Sequence, residues 1–251
     1  MNLSIHHTLQ RLLLPALVCL TLVPLAPLTA QAGSVAGSGR SATESRSLAE
    51  FQALALSGSM DLVLRQGAVQ SVQVQADDNL LPLLETVVES TGNGATLLVR
   101  WKKGQSLHTR SKVLVTVVVP KLSAVAASGS GDIRVEAFNT PALKLSLSGS
   151  GDARLQGLTT EELGLSISGS SDVVASGSAT RLKISIAGSG DVRMADLKSD
   201  EVTVNIAGSG DAAVNANKTL AVNIAGSGDV SYTGNAAVKS RVAGSGSVNK
   251  R

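Results

Sequence analysis

Aspartates at a nearly constant spacing are the side chains of this sequence best suited to chemistry. Six of them each end a Gly-Ser-Gly-Asp or Gly-Ser-Ser-Asp phrase. They are Asp132, Asp152, Asp172, Asp191, Asp211 and Asp229. If the phrases stack in register, the carboxylates form a column with a separation of about 4.8 Å, the distance between neighbouring strands. The oxygen atoms of such a column could bind cations, as in the calcium-binding Gly-Gly-x-Gly-x-Asp repeats.

The same spacing also allows a structural role for the carboxylates. Two unit charges at this separation repel by about 1 kcal/mol in bulk water and by about 3–4 kcal/mol at an effective dielectric constant near 20. Hydration, hydrogen bonds from backbone N–H groups and serine hydroxyls, or bound cations can offset this repulsion. Calcium β-rolls repeat their motif about every nine residues, whereas this chain has one phrase per 18–20 residues. The sequence therefore favours the hydrogen-bonded role, with calcium as the alternative.

A group of basic residues around the only tryptophan is the second candidate site. It comprises Arg100, Trp101, Lys102, Lys103, His108, Arg110 and Lys112. These side chains could bind an anionic polysaccharide, a lipid headgroup or a nucleic acid strand, with Trp101 stacking on a ring. A run of charge between two strands is more often a solvated loop. We therefore expect a hairpin tip here, with an anionic-ligand patch as the alternative.

Groups that could carry out catalysis are scarce. Cys19 lies in the predicted leader, and His108 is the only histidine after residue 32, so neither a Cys-His pair nor a His-rich metal site can be built. A polysaccharide-cleaving β-helix with paired carboxylates is the enzymatic alternative. Sugar clefts usually offer several aromatic platforms, however, and this chain has one Trp, one Tyr and two Phe. We expect no catalytic residues and no cofactor, calcium excepted as above.

The elements that must position the aspartates are short strands. The Gly-Ser phrases recur at steps of 20, 20, 19, 20, 18 and 18 residues between Asp132 and Ser247. Apolar and polar residues alternate before each phrase, as at Leu143, Leu145 and Leu147, which is the period of a β-strand. Repeats of this length that bury their apolar faces against neighbouring repeats form solenoids. The sequence therefore predicts an all-β fold, a single-stranded parallel β-helix with about 18–20 residues per coil.

The amino-terminal part of the chain has a different composition. Residues 1–32 have the features of a secretory signal peptide, with Arg11, a long apolar run and an Ala30-Gln31-Ala32 cleavage site. Residues 33–47 are rich in Gly, Ser, Ala and Thr and predict a flexible linker.

Residues 48–251 form the predicted β-helix domain, which begins with an early coil at 51–67. An excursion at 68–122 then interrupts the repeats. Within it we predict strands and a short helix over 80–89, capped by the Asp77-Asp78-Asn79 segment. An open coil end would expose apolar side chains and unpaired backbone, so we expect part of the excursion to cap or flank the early coil.

Three features of the sequence together resemble those of one protein family. They are the motif Phe-x-x-Leu-x-Leu-Ser-Gly-Ser-x-Asp at 51–61, the leader and the repeated Gly-Ser-Gly-Asp turns. They are similar to the bacterial "putative autotransporter adhesin head GIN domain" family, from about residue 48 to the carboxyl end. The resemblance implies a right-handed parallel β-helix and a role in adhesion. It implies no catalytic residues.

The chain has a net charge of +3 and a pI of about 9.2, which is no reason by itself to expect a nucleic-acid partner. We expect a non-enzymatic exported protein in the periplasm, at the cell surface or secreted, acting as an adhesin, a binding protein or a structural module. Its expected partners are a polysaccharide or another envelope or surface component, and further copies of itself through the coil ends. The alternatives are a carbohydrate-active β-helix enzyme and a calcium-stabilised binding repeat.

Overall fold

Strands make up most of the part of the chain that the computed structural model describes, residues 34–104 and 106–251, and apolar and polar residues alternate in the strands of the core. The predicted signal peptide lies outside the described residues. A short 3-10 helix spans Leu81–Leu83. In chain order the strands are β1 (Ser34–Ala36), β2 (Ser41–Arg46), β3 (Ala53–Ser57), β4 (Asp61–Gln66), β5 (Ser71–Asp77), β6 (Leu84–Thr91), β7 (Gly94–Trp101), β8 (Ser106–His108), β9 (Leu114–Val119), β10 (Ala124–Gly129), β11 (Ile133–Glu136), β12 (Asn139–Gly149), β13 (Ala153–Gly169), β14 (Val173–Gly188), β15 (Val192–Gly208), β16 (Ala212–Gly226), β17 (Val230–Thr233), β18 (Ala237–Gly244) and β19 (Val248–Lys250).

The repeats fold as stacked parallel coils. Strands β12 to β16 and then β18 pair in parallel, so that Leu143, Leu163 and Leu182 are direct neighbours. The same column continues through Val202 and Leu220. Equivalent residues therefore lie one coil apart, and the predicted β-solenoid is confirmed.

Each coil of the regular run has three sides. In β13 the buried residues fall into three groups, at 153–155, 158–160 and 163–167, and two outward residues separate each group from the next. We call these groups the first, second and third sides. The Gly-Ser-Gly-Asp phrase forms the corner between the third side of one coil and the first side of the next, and we call it the glycine corner.

The inward residues of successive coils form one continuous aliphatic core. Third-side residues such as Leu165, Ile184 and Val204 are buried and belong to a single cluster that extends along the stack. Branched aliphatic side chains fill a narrow interior at high density without requiring rings. This packing accounts for the low aromatic content of the sequence.

The early coil lies between the regular repeats and the excursion. Strand β3 pairs in parallel with β10 on one edge and with β7 on the other, and β4 pairs in the same way with β11 and β9. The excursion thus supplies the next layer of the stack. Beyond that layer the pairing becomes antiparallel, with β6 along β7, β5 along β9, and β2 along β5.

The prediction of a short helix over 80–89 is wrong. Only Leu81–Leu83 forms a helical turn, and its N-cap, Leu80, makes no side-chain capping hydrogen bond. Strand β6 follows and pairs with β7 from Leu84 to Thr91. The segment is rich in β-branched residues, and an available strand edge favours extended backbone over a short isolated helix. In the described residues, no helix has the length and hydrophobicity needed to span a bilayer.

The prediction of a flexible linker over 33–47 is also wrong where this segment is described. Strand β1 pairs in parallel with β8, and all six residues of β2 pair with β5. Ala42 packs against the core. Composition suggested flexibility, but an unpaired edge of β5 provides hydrogen-bond partners that order the segment.

At the other end of the stack, the eight residues of β18 are all exposed. Val238 and Val242 occupy the positions that Leu220 and Ile224 hold in the preceding coil. Self-association through this end of the stack stays a prediction.

Candidate functional site

The glycine corners bring the predicted aspartates into one continuous ladder. The Oδ1 atom of Asp132 accepts a hydrogen bond from the backbone N–H of Asp152 at 3.1 Å, and Oδ1 of Asp152 accepts one from Asp172 at 3.2 Å. The same contact recurs at every corner, with N–O distances of 2.7–3.2 Å. We call these residues the aspartate ladder: Asp61, Asp132, Asp152, Asp172, Asp191, Asp211 and Asp229.

The carboxylates of the ladder serve as acceptors for backbone donors at the corner. The backbone carbonyl of Asp152 accepts from Ile133 N at 2.7 Å, while its carboxylate accepts from the next coil. Buried or partly buried backbone N–H groups need such partners. Ser247 ends the ladder by donating both its N–H and its hydroxyl to Asp229 Oδ1. This geometry supports the structural role that the sequence favours.

One charged side chain also reduces the repulsion within the ladder. The two terminal nitrogens of Arg193 lie 3.3 Å from Oδ2 of Asp172 and 3.3 Å from Oδ2 of Asp191. In the part of the chain that the structure describes, no group of three or more acidic, histidine or cysteine side chains is placed to hold a metal ion. Calcium binding by the ladder stays a prediction.

Removing one carboxylate tests the structural role. We expect Asp152→Ala to lower the free energy of unfolding by about 1 kcal/mol, because the N–H of Asp172 loses its acceptor. Asp152→Asn should cost less, since the amide oxygen can still accept. Urea denaturation measures both changes, and equal losses for the two variants would contradict the structural role of the carboxylate.

Thermal melts of the wild type with calcium and with chelator should give the same midpoint, and a higher midpoint with calcium would favour the cation ladder.

The structure places the residues of the basic patch in different local environments. Arg100 lies on β7 with its Nε 3.1 Å from Glu85 Oε2 and its Nη2 3.5 Å from Glu89 Oε1. Trp101 is half-buried and packs against the core. Lys102 and Lys103 are exposed after the end of β7. The tryptophan is therefore a packing residue with limited surface for stacking on a ligand.

The remaining basic residues of the patch lie near the start of the aspartate ladder. Arg110 and Lys112 line a cleft together with Asp61 and Asp132. The Nζ atom of Lys112 is 3.9 Å from Asp61 Oδ2. Part of the positive charge of the patch is thus compensated by nearby acids, and binding of an anionic ligand here stays a prediction.

His108 is the only histidine among the described residues, and it has a serine partner. Its Nδ1 lies 3.2 Å from Ser34 Oγ at an exposed position between β1 and β8. A serine nucleophile also needs a group that orients the histidine. Among the described residues no carboxylate is hydrogen-bonded to this imidazole.

Asp77 is a buried charge whose role the sequence did not indicate. Its Oδ1 accepts from Gly39 N at 2.8 Å and from Ser111 Oγ at 2.9 Å, and its Oδ2 accepts from Arg110 N at 2.9 Å and Ser111 N at 3.2 Å. Burial acts to raise the pKa of Asp77, but the four hydrogen bonds outweigh it and lower the pKa to about 2. Asp77 thus ties the 37–40 turn to the 109–111 loop.

The neighbours of Asp77 hold the same turn. Asn79 Oδ1 accepts from Ser38 N at 2.9 Å, and its Nδ2 donates to Ala36 O at 2.9 Å. Asp78 accepts from the hydroxyl of Ser38 and pairs with Arg40 at 3.0 Å. The segment predicted to cap a helix therefore fixes the amino-terminal strands instead.

A polar groove of about 600 Å³ follows the second side across successive coils. The hydroxyls of Thr140 and Thr160 form part of its floor and donate to backbone carbonyls, which fixes the lining. No single repeat carries a motif for this groove, because it arises from the same position in several coils. Its hydroxyl and amide groups come from Gln66, Asn139, Thr140, Thr159, Thr160, Ser178, Thr180 and Asn217.

Charged side chains of both signs lie along the groove. Lys121 and Lys198 contribute positive charge, and Glu161 and Asp200 contribute negative charge. Asp200 is paired with Lys218 at 2.9 Å. A surface with many hydrogen-bonding groups and mixed charge is suited to binding a polar, extended ligand.

Several solved structures have the same fold. A "putative adhesin" from Bacteroides fragilis is 22% identical, with a TM-score of 0.81 over 86% of this chain and 100% of that chain. A "putative lipid binding protein" from Parabacteroides distasonis is 24% identical, with a TM-score of 0.70 over 87% of this chain and 99% of that chain. A "putative adhesin" from Parabacteroides merdae is 23% identical, with a TM-score of 0.71 over 87% and 99%. These likenesses show the fold.

Comparison with curated proteins gives no match. A family model described as "Putative auto-transporter adhesin, head GIN domain" matches residues 50–236. The match includes the early coil, the excursion and the aspartate ladder as far as Asp229. This chain therefore belongs to the auto-transporter adhesin head GIN domain family.

Proposed function

We propose that the protein is an exported, non-enzymatic binding protein of the adhesin type, which holds an envelope or cell-surface polysaccharide in the groove along its second side. The groove is the observation that carries this proposal. It presents hydroxyl, amide and charged groups at successive coils, about 4.8 Å apart along the stack. An extended polymer can contact several of these equivalent positions at once, and many weak contacts then add to a useful affinity.

The chemistry of the groove favours a saccharide over a lipid chain. Thr159 and Ser178 are neighbouring outward residues, and both expose hydroxyls. Hydroxyl and amide groups satisfy the many donors and acceptors of a sugar, whereas an acyl chain would leave them unpaired at a cost. One relative has lipid binding in its name, so lipid vesicles belong in the binding screen as a competing ligand class.

Filling the groove should weaken binding of the polysaccharide. We expect the double variant Thr159→Tyr/Ser178→Tyr to weaken binding of envelope polysaccharide by about tenfold or more, because two rings occupy the groove and hide its hydroxyls. The measurement is a screen of the purified protein against envelope polysaccharides and against neutral and anionic vesicles, followed by titration with the best ligand.

The matched control is Arg154→Tyr/Val174→Tyr. These positions are exposed neighbours on the first side of the same two coils. The control variant should bind like the wild type. Equal losses for both double variants, or binding to vesicles alone, would refute the groove proposal. A third variant, Lys102→Ala/Lys103→Ala, tests the basic patch in the same screen, and release of new reducing ends or unsaturated products would favour an enzyme.

A further inference from the structure

A second depression lies beside the groove, on the third side. In the outward column of this side, Gly164 stands between Lys144 and Lys183, one coil from each. Gly164 has no side chain, and a Cβ atom placed there would meet nothing within 4 Å. The missing side chain leaves a pocket of about 360 Å³ between the two lysines. We call it the Gly164 pocket.

Hydroxyl and amide groups line the pocket next to the lysines. Ser166, Ser185 and Asn205 are register neighbours in the adjacent outward column. Ser123 closes one end, where its hydroxyl donates to Gln52 O at 2.9 Å and can still accept from a ligand. The volume is at the lower end of the range for ligand pockets. It therefore suits a small polar group such as a single sugar ring with its substituents.

The charges of the pocket are unequal. Glu162 is paired with Lys183 at 2.8 Å and with Arg181 at 3.5 Å. The hydrogen bond from Lys183 is the main cause that lowers the pKa of Glu162, so this carboxylate stays ionised. Among the described residues no acidic group lies within 4.0 Å of the Lys144 ammonium. The pocket therefore contains one ion-paired carboxylate and one cation that lacks a counter-ion.

This combination favours a ligand with one negative charge and several hydroxyls. The ammonium of Lys144 can bind a carboxylate through a charge-assisted hydrogen bond. Glu162 and the serine hydroxyls can accept hydrogen bonds from sugar hydroxyls. A phosphate monoester, which carries more negative charge than a carboxylate, would be repelled more strongly by Glu162. A carboxylate-bearing sugar satisfies both kinds of group.

We propose that the Gly164 pocket binds the carboxylate-bearing ring of an acidic polysaccharide, with Lys144 as the partner of the carboxylate. This inference rests on the proposed function and names its ligand class. Pocket and groove adjoin, because Pro141 and Glu161 line the groove while Ala142 and Glu162 line the pocket. A polymer in the groove can thus place an acidic ring in the pocket.

The test uses Gly164→Val, which fills the pocket without disturbing the backbone. The free space at this Cβ position and the β-propensity of valine predict an unchanged fold. Galacturonate oligomers are the probe, and neutral galactose oligomers of equal length are the comparison. We expect the wild type to bind the acidic oligomers at least about tenfold more tightly, and both Gly164→Val and Lys144→Gln to remove that preference.

Ala221→Val is the matched control, because Ala221 lies in the same outward column two coils from Lys183. It should keep the preference for the acidic oligomers. If polysaccharide binding depends on Thr159 and Ser178 but is unchanged by Gly164→Val, the pocket inference is overturned and the groove proposal stands. If neutral and acidic oligomers bind equally, the inference is also overturned. If no polysaccharide binds at all, both proposals fail.

Discussion

Replacing Gly149 by alanine is expected to prevent stable folding of the solenoid. Gly149 has a φ of +136°, a conformation that residues with a Cβ rarely adopt. A Cβ atom there would also overlap the carbonyl oxygen of Gly129 in the neighbouring coil. That carbonyl accepts the N–H of Ser150 at 3.0 Å, so the two coils cannot separate without losing the contact. We expect a loss of about 4 kcal/mol or more, which is in the extreme range for one substitution.

The matched control for this prediction is Gly164→Ala. Gly164 also lies in a parallel strand of the same stack, but its φ is not in the left-handed region and its Cβ position is open. Its effect should stay within about 0.5 kcal/mol. Urea denaturation of the two soluble variants, or their yields if Gly149→Ala does not accumulate, measures the contrast. A Gly149→Ala protein as stable as Gly164→Ala would refute the close stacking of the glycine corners.

Replacing Asp77 by asparagine is expected to have the second largest effect. The carboxylate accepts four hydrogen bonds, two at each oxygen, in a site with no solvent exposure. Asparagine has the same shape, but its amide nitrogen would face donors rather than acceptors. Leaving buried donors unsatisfied costs about 1–3 kcal/mol for each group. We expect Asp77→Asn to lower the free energy of unfolding by about 3 kcal/mol.

The same carboxylate makes the free energy of unfolding depend on pH over a defined range. The pKa of Asp77 falls from an ordinary value of 3.8 to about 2 in the folded protein. A lowered pKa means that the folded state binds the proton less readily than the unfolded state does. The contribution of Asp77 is therefore complete above about pH 4 and is lost as the pH falls through about 2.

Urea denaturation at several pH values between 7 and about 2 tests both parts of the Asp77 prediction. The wild type should lose more stability than Asp77→Asn between about pH 4 and 2. Asp78→Asn serves as control, because Asp78 is more exposed and pairs with the surface residue Arg40. It should change stability by less than about 1 kcal/mol. Parallel pH profiles for the wild type and Asp77→Asn would show that Asp77 does not stabilise the fold as its contacts indicate.

The regular repeats could be predicted from sequence because local pattern and long-range contact coincide there. Leu143 and Leu163 occupy equivalent positions in consecutive repeats and are neighbours in the sheet. The position of an inward residue in one repeat therefore gives its position in all others. The role of the aspartates followed from the same logic, since stacking placed each carboxylate beside an equivalent backbone segment.

The excursion could not be predicted in the same way, because its contacts are not between equivalent residues. Val87 and Val88 lie in the segment predicted as a helix, but they form a strand because they pair with β7, which follows them in the chain. The polar residues of β2 carry no core pattern, and β5 determines their conformation. Asp77 lies in the segment predicted to cap a helix, although three of its four hydrogen-bond donors belong to Arg110 and Ser111.

The candidate binding sites lie on surfaces that no single repeat encodes. The groove collects Asn139, Thr159 and Ser178 from three coils, and the Gly164 pocket depends on lysines in the coils on either side. Once the three-sided coil is known, the outward residues that share a side can be identified from the sequence by aligning the repeats. Without the positions of the sides, outward serines and threonines cannot be assigned to a common surface.

The aspartate ladder has the same donor and acceptor arrangement at each step, so a coil interacts with its neighbours through a standard interface. Duplication or deletion of one repeat would recreate that interface and would change the length of the stack by about 4.8 Å. Related proteins can thus vary the distance at which they engage a target by gain or loss of whole repeats. The irregular amino-terminal layers would remain untouched by such changes.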